Sequence, residues 1–213
     1  MAYPQVSAPY GLKPINLIGG QVFSGSTRSL PIQYGYATDI GYGDFVKLVR
    51  GTIQRQAVST AGGAAGMVGI FLGCSFTNPV TKQKTFSQYW PSGTLAGDAV
   101  AIVCDDPDTV FKAVVCSSGT TVASGSIAMI GQNYQMIDNS VNLNTGDSTN
   151  ALLYSATLTT STFAMRAVGV VPETAIVTSA TGSSSSTTIT LTGSGLPIAI
   201  PAGTADRKST RLN

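Results

Sequence analysis

The sequence predicts an all-β fold: a β-barrel or β-sandwich body with an extended N-terminal arm and a Ser/Thr-rich β segment at the C-terminal end. Three observations predict it. Short runs rich in Val, Ile, Phe and Tyr recur along the chain, and turn signals separate them at roughly 8–12 residues, the spacing of barrels and sandwiches. The residues that clothe the wet face of a long helix are scarce, since only 10% of the 213 residues are charged and Glu173 is the sole glutamate. In their place stand 26 Thr, 23 Ser and 24 Gly, which suit exposed strand faces and turns better than helices.

Residues 1–28 read as the arm. Pro4, Pro9 and Pro14 recur at five-residue intervals, each barring helix and biasing the residue before it toward extended backbone. Between and after them sit Val6, Tyr10, Leu12, Ile15, Leu17 and Ile18, and Lys13 is the only charge before Arg28. A solvated linker carries more charge and less apolar surface. These side chains need something to cover, either the body of the same chain or a neighbouring subunit. If the cover is a neighbour, Tyr10, Leu12, Pro14, Ile15, Leu17 and Ile18 form the interface, and removing the arm leaves the body folded.

The body is expected over 29–118, with strands at 30–34, 44–49, 52–56, 67–75, 85–90, 99–104 and 110–115. Turn residues part them, among them Tyr42-Gly43-Asp44, Arg50-Gly51, Asn78-Pro79, Ser92-Gly93 and Asp105 to Asp108. Residues 119–171 continue the β pattern with strands at 126–130, 134–137, 151–158 and 162–171, and with a polar loop over 139–150 that takes one helical turn at 146–150. In the segment 172–205, Thr alternates with Ile189 and Leu191 over 187–192, and 196–200 pairs with it. The final eight residues, Asp206 to Asn213, change composition abruptly and resemble the translation of a sequencing-adapter oligonucleotide. On that reading the chain comes from a metagenomic contig, and its native end lies beyond Ala205.

Charge and residue types exclude several function classes. The chain holds 12 Lys and Arg against 10 Asp and Glu. Setting aside residues 206–213 removes three of the cations and one of the anions, leaving nine of each sign and no electrostatic case for nucleic acid. With no His, a Ser-His-Asp triad, a His-containing zinc site and imidazole acid–base chemistry are all impossible. Cys74, Cys104 and Cys116 lack CxxC spacing and lie in apolar runs, so they read as buried free thiols made in a reducing compartment. No signal-peptide pattern opens the chain. The uncharged stretch 58–76 has GxxxG spacing, but its first half is too weakly apolar to span a bilayer; it reads as a glycine loop over 61–66 feeding a strand.

The remaining candidate constellations are weak. Asp105, Asp106 and Asp108 lack the calcium-loop pattern, with Pro107 among them, and read as a hairpin turn. Asp138, Asn139, Asn142, Asn144 and Asp147 read as an exposed loop, with metal binding left open. Tyr34, Tyr36 and Tyr42 near Arg28 have too few cations beside them for a single-strand platform. Trp90 reads as a core or interface anchor. Nothing selects a catalytic pair of carboxylates or a cofactor site, so the chain reads as non-enzymatic.

The run Ala8-Pro9-Tyr10-Gly11-Leu12-Lys13-Pro14-Ile15-Asn16-Leu17-Ile18-Gly19-Gly20 resembles the start of small virion structural proteins of marine tailed bacteriophages. The resemblance continues through Gly25 to Arg28, Tyr42 to Leu48, Gly69 to Cys74 and Lys84 to Pro91, covering roughly residues 8–118. The order Gly43-Asp44-Phe45-Val46, then Gly69 to Gly73, then Ala96-Gly97-Asp98-Ala99-Val100 is similar to that of capsid decoration (cement) proteins. That resemblance implies a small β-barrel in the virion that binds and stabilises the capsid shell after assembly in the host bacterial cytoplasm. It implies the major capsid protein or other virion proteins as partners and a homo-oligomer on the particle; the charge balance and hydropathy argue for no nucleic acid and no membrane, and no cofactor is expected. The length after residue 118 leaves open a head-fibre or tail component. A carbohydrate-binding β-sandwich using Trp90 or Tyr89 is the alternative from another class.

Overall fold

The computed structural model describes residues 6–57, 66–154, 163 and 165–171, and the backbone of 175–177, 184–186 and 188–193. The fold is all-β. Six strands form the first sheet: β2 (Arg28–Pro31), β3 (Phe45–Val49), β4 (Thr52–Arg55), β5 (Met67–Thr77), β6 (Lys84–Ser87) and β7 (Val100–Cys104). Their order is β2-β7-β5-β3-β4, with β6 added along the C-terminal half of β5. A bridge between Ile32, just past β2, and Ile53 of β4 joins the two ends of that order, so the sheet closes into a small barrel.

Alternation in the strands fills the barrel. Val46, Ile53, Phe71, Ala101 and Val103 meet Ile32, Ile40 and Trp90 in one buried cluster. Trp90 is fully enclosed, edge-on to Phe76 with ring centroids 5.4 Å apart, and its indole N–H donates to the Tyr36 carbonyl at 3.2 Å. A buried indole N–H needs such a partner. In β5 the register shifts between Phe71 and Gly73, inserting Leu72 as an extra residue. The bulge reverses the sidedness of the strand, so Phe71, Cys74 and Phe76 all reach the barrel interior although strict alternation would separate them.

The second layer is built on the long strand β8 (Thr109–Ser118), with β9 (Thr121–Val122), β11 (Asn133–Tyr134), β12 (Met136–Ile137), β13 (Ala151–Leu153), β14 (Met165–Val170) and β17 (Thr188–Gly193). The order is β11-β14-β17-β8-β13-β12, and both β9 and β1 (Lys13–Leu17) also pair with β8. A small sheet of β10 (Gly125–Ser126), β16 (Ser184–Ser186) and β15 (Ala175–Val177) completes the described strands. Between the layers, Phe45, Ile70 and Cys104 from the outside of the barrel pack with Phe111, Ala113, Val115, Leu152 and Met165 of the second sheet. The layers part at the turn around 105–108, because β8 runs unbroken through position 118 as part of the second sheet.

The arm belongs to this fold. β1 runs antiparallel to β8, Lys13 opposite Lys112 and Leu17 opposite Thr109, and Pro14, which has no N–H to give, sits beside an irregularity in that ladder. Just before β1, Leu12 is 0% exposed in the inter-layer core, and its N–H donates to the Gly43 carbonyl at 3.2 Å. Gly43 has φ +91°, and a Cβ there would lie 2.6 Å from the Leu12 nitrogen, so the arm can pass this closely only over a glycine. Val6 and Tyr10 cover Val114, Cys116 and Ala151 on the far face of the second sheet. The expectation that the arm can be removed without harm to the body is therefore corrected: the arm supplies a strand and part of the core.

Other expectations shift for local reasons. Residues 126–130 are not a strand; after Ser126 the chain makes a 3₁₀ turn over Ile127–Met129, capped by the Ser126 hydroxyl accepting from the Ala128 N–H at 3.3 Å. The strand expected over 134–137 divides at Gln135, its halves pairing with β14 and β13. The helical turn expected at 146–150 is extended chain, since Asp147 and Ser148 form bridges with Tyr42 and Val141. The strand expected over 85–90 ends at Ser87, and Trp90 instead bridges Ile40. The glycine loop at 61–65, the strand at 196–200 and the tail at 206–213 lie outside the described residues.

Candidate functional site

The six arm residues do not form one exposed surface. Leu12 is enclosed in the chain's own core and is withdrawn as an interface residue; Tyr10, Pro14, Leu17 and Ile18 are half-buried, Tyr10 against the far face of the second sheet. Ile15 retains 41% exposure because it falls at the irregularity in the β1–β8 ladder. Lys13 pins this stretch: its ammonium lies 3.0 Å from Asp147 and 5.4 Å from the centroids of both Tyr10 and Tyr42.

A strip of apolar and small residues lies elsewhere, on the outside of the barrel. Pro31, Val100, Ser75 and Phe86 stand opposite one another across β2, β7, β5 and β6, and Ser29, Ile102 and Gly73 form the next row. Cross-strand partners share a face, and strands lie roughly 4.8 Å apart, so the row spans about 15 Å. It extends the face whose other end, at Ile70 and Cys104, is covered by the second sheet. Phe86 is 79% exposed and Ile102 37%. The small residues between them leave the strip low in relief. Its rim charges are internally paired, Lys84 with Asp98 at 2.8 Å and Arg28 with Asp105 at 2.5 Å. The sequence signal for this strip is β7, apolar at every position, since an all-apolar strand needs cover on both faces.

A polar cluster occupies one end of the barrel. Asp44, fully buried, accepts from the Gly41 N–H at 2.8 Å, the Ser148 hydroxyl at 2.6 Å and the Asn150 amide at 2.9 Å. Arg55 Nε lies 3.2 Å from Asp44 Oδ2, the oxygen that accepts from Gly41, without a hydrogen bond to it, while its Nη2 donates to Asp138 at 2.7 Å and to the Asn139 carbonyl. Burial pushes both carboxyls above the usual range, and the guanidinium opposes that shift in each. This cluster fastens the 138–150 loop to the barrel.

Several polar groups of the loop are engaged within the fold. Asp138 meets Arg55, Asp147 meets Lys13 and Gln88, and the Asn139 amide donates to the carbonyls of Gly119 and Thr149. Among the described residues no group of three or more Cys, Asp or Glu converges as a metal site. Asp106 accepts from the Asp108 N–H at 2.9 Å, closing the turn expected there. All three cysteines are free and buried; burial pushes the Cys74 thiol up to about 12 and the Cys116 thiol to about 11. Tyr36 accepts from the Arg55 N–H at 3.0 Å, a structural bond, and enclosed Trp90 has no face to offer a sugar. No helix among the described residues is long and apolar enough to cross a membrane. Comparison with protein-family models, curated proteins and solved structures finds no match to this chain.

Proposed function

We propose that this chain is a non-enzymatic structural protein of a phage virion, a capsid decoration protein that binds and stabilises the shell. Its partners are then the major capsid protein or other virion proteins, and further copies of itself on the particle. The observation that carries the reading is the strip of Pro31, Val100, Ile102 and Phe86 on the outside of the closed barrel, bordered by charges that neutralise one another. A large exposed phenylalanine on a firm sheet is the kind of anchor that protein interfaces bury. Paired rim charges add little long-range repulsion between copies packed densely on a shell. In this reading the grip lies on the barrel face, because the arm is already used inside the fold.

Cosedimentation of the purified full chain with capsids that lack it tests the proposal. Phe86 is exposed, so F86D is expected to fold normally. Burying a Phe side chain contributes about 1.5–3 kcal/mol, so the substitution is expected to weaken shell binding by roughly tenfold or more. Wild-type protein that ignores capsids would reject the function. Wild-type and F86D proteins that bind equally would reject the face.

A further inference from the structure

We infer that the Asp44–Arg55–Asp138 cluster is a pH-responsive clasp, in which a proton taken up by the pair of carboxylates tightens the hold of the 138–150 loop on the barrel. The geometry places two carboxylates against one guanidinium in a site largely shut off from water: Asp44 is 0% exposed at its side chain, Arg55 15% and Asp138 25%. With both acids ionised, the cluster carries one uncompensated negative charge. Asp44 already takes three hydrogen-bond donors in addition to the nearby guanidinium. Asp138 has Arg55 Nη2 as its one charged partner, so it is the acid better suited to take the proton. A neutral carboxyl still accepts from Arg55 through its carbonyl oxygen, so protonation removes the excess charge without breaking the contact.

The neighbouring groups do not cancel that charge. From β4, Arg55 is the cation that faces Asp44; from the loop between β2 and β3, Tyr36 contributes a hydroxyl that accepts from the Arg55 backbone; from the 138–150 loop, Ser148 and Asn150 are neutral. Lys13 and Asp147, the other charges on this junction, pair with each other at 3.0 Å. Both carboxyls of the clasp are held above their ordinary range by burial. A carboxyl raised in this way binds its proton more readily in the folded than in the unfolded chain. Its contribution to stability is therefore present in acid and lost as pH rises through its folded value.

The test is the thermal midpoint of the full chain and of D138N, measured side by side from about pH 7 down to about pH 4, into the ordinary carboxylate range. Asn keeps an oxygen for Arg55 and removes the charge. D138N is expected to melt a few degrees higher than wild type near neutrality, with the gap closing as wild type takes up its proton. The difference between the two profiles excludes acids common to both, such as Asp98. A D138N midpoint below wild type at neutral pH, or a gap that does not change with pH, overturns the inference. Carbon-13 titration of the aspartate carboxyls in the wild-type chain needs no variant: at least one signal titrating above the usual aspartate range is expected, and ordinary values for all of them would overturn it equally.

Discussion

Leu12→Ala separates an arm that grips a partner from an arm that belongs to the fold. Leu12 has no exposed surface and lies in a cluster with Phe45, Ile70, Phe111, Leu152 and Met165, drawn from both layers. Truncating a buried Leu to Ala costs about 2–5 kcal/mol, more where the site cannot collapse around the cavity. Here collapse is hindered, because the Leu12 N–H is held by the Gly43 carbonyl and the following strand is held in register on β8. The upper half of the range is expected, roughly 3–5 kcal/mol. At about 2–4 °C per kcal/mol for a chain of this size, the midpoint should fall by on the order of 10 °C. Urea unfolding followed by circular dichroism reads the change directly. I15A serves as the control: Ile15 is 41% exposed, and its loss should cost under about 1 kcal/mol. An L12A midpoint indistinguishable from wild type would refute the placement of the arm inside the core.

Three further outcomes follow from enclosed side chains. W90A should lose about 3–5 kcal/mol, since it empties the centre of the barrel; sugars titrated into the wild-type protein should leave Trp90 emission unchanged, and quenching would show that the indole is reachable after all. A thiol reagent at neutral pH should label none of Cys74, Cys104 or Cys116 in the folded chain and all three after unfolding, because burial raises each thiol well above neutrality. Rapid labelling of the native protein would contradict their placement in the cores.

The strands most legible in the sequence are those whose signals are local. β3, β4 and β7 fall within a residue or so of their expected bounds, since a β-branched run between turn residues is enough to define them. The segments 126–130 and 134–137 were not legible in the same way. Their apolar residues resemble strand, but Ser126 caps a tight turn, and the chain on either side of Gln135 pairs with two different strands. Asp44 and Arg55 are eleven positions apart, and Asp138 and Ser148 arrive from more than 80 positions away; no spacing pattern announces that cluster. Phe86 is one apolar residue in a four-residue strand, and its surface importance comes from Val100 and Pro31 on other strands.

By itself the sequence determined the all-β class, the burial of the thiols and the absence of imidazole chemistry, because these depend on residue type and on periodicity over a few positions. Tertiary structure alone decided where the arm lies, which side of β5 faces the barrel interior, and which apolar side chains remain in water. An extended apolar segment gains the same burial on its own body or on a neighbour, and a single bulge exchanges the two faces of a strand. Such choices are made by contacts between residues far apart in the chain, which local pattern does not encode.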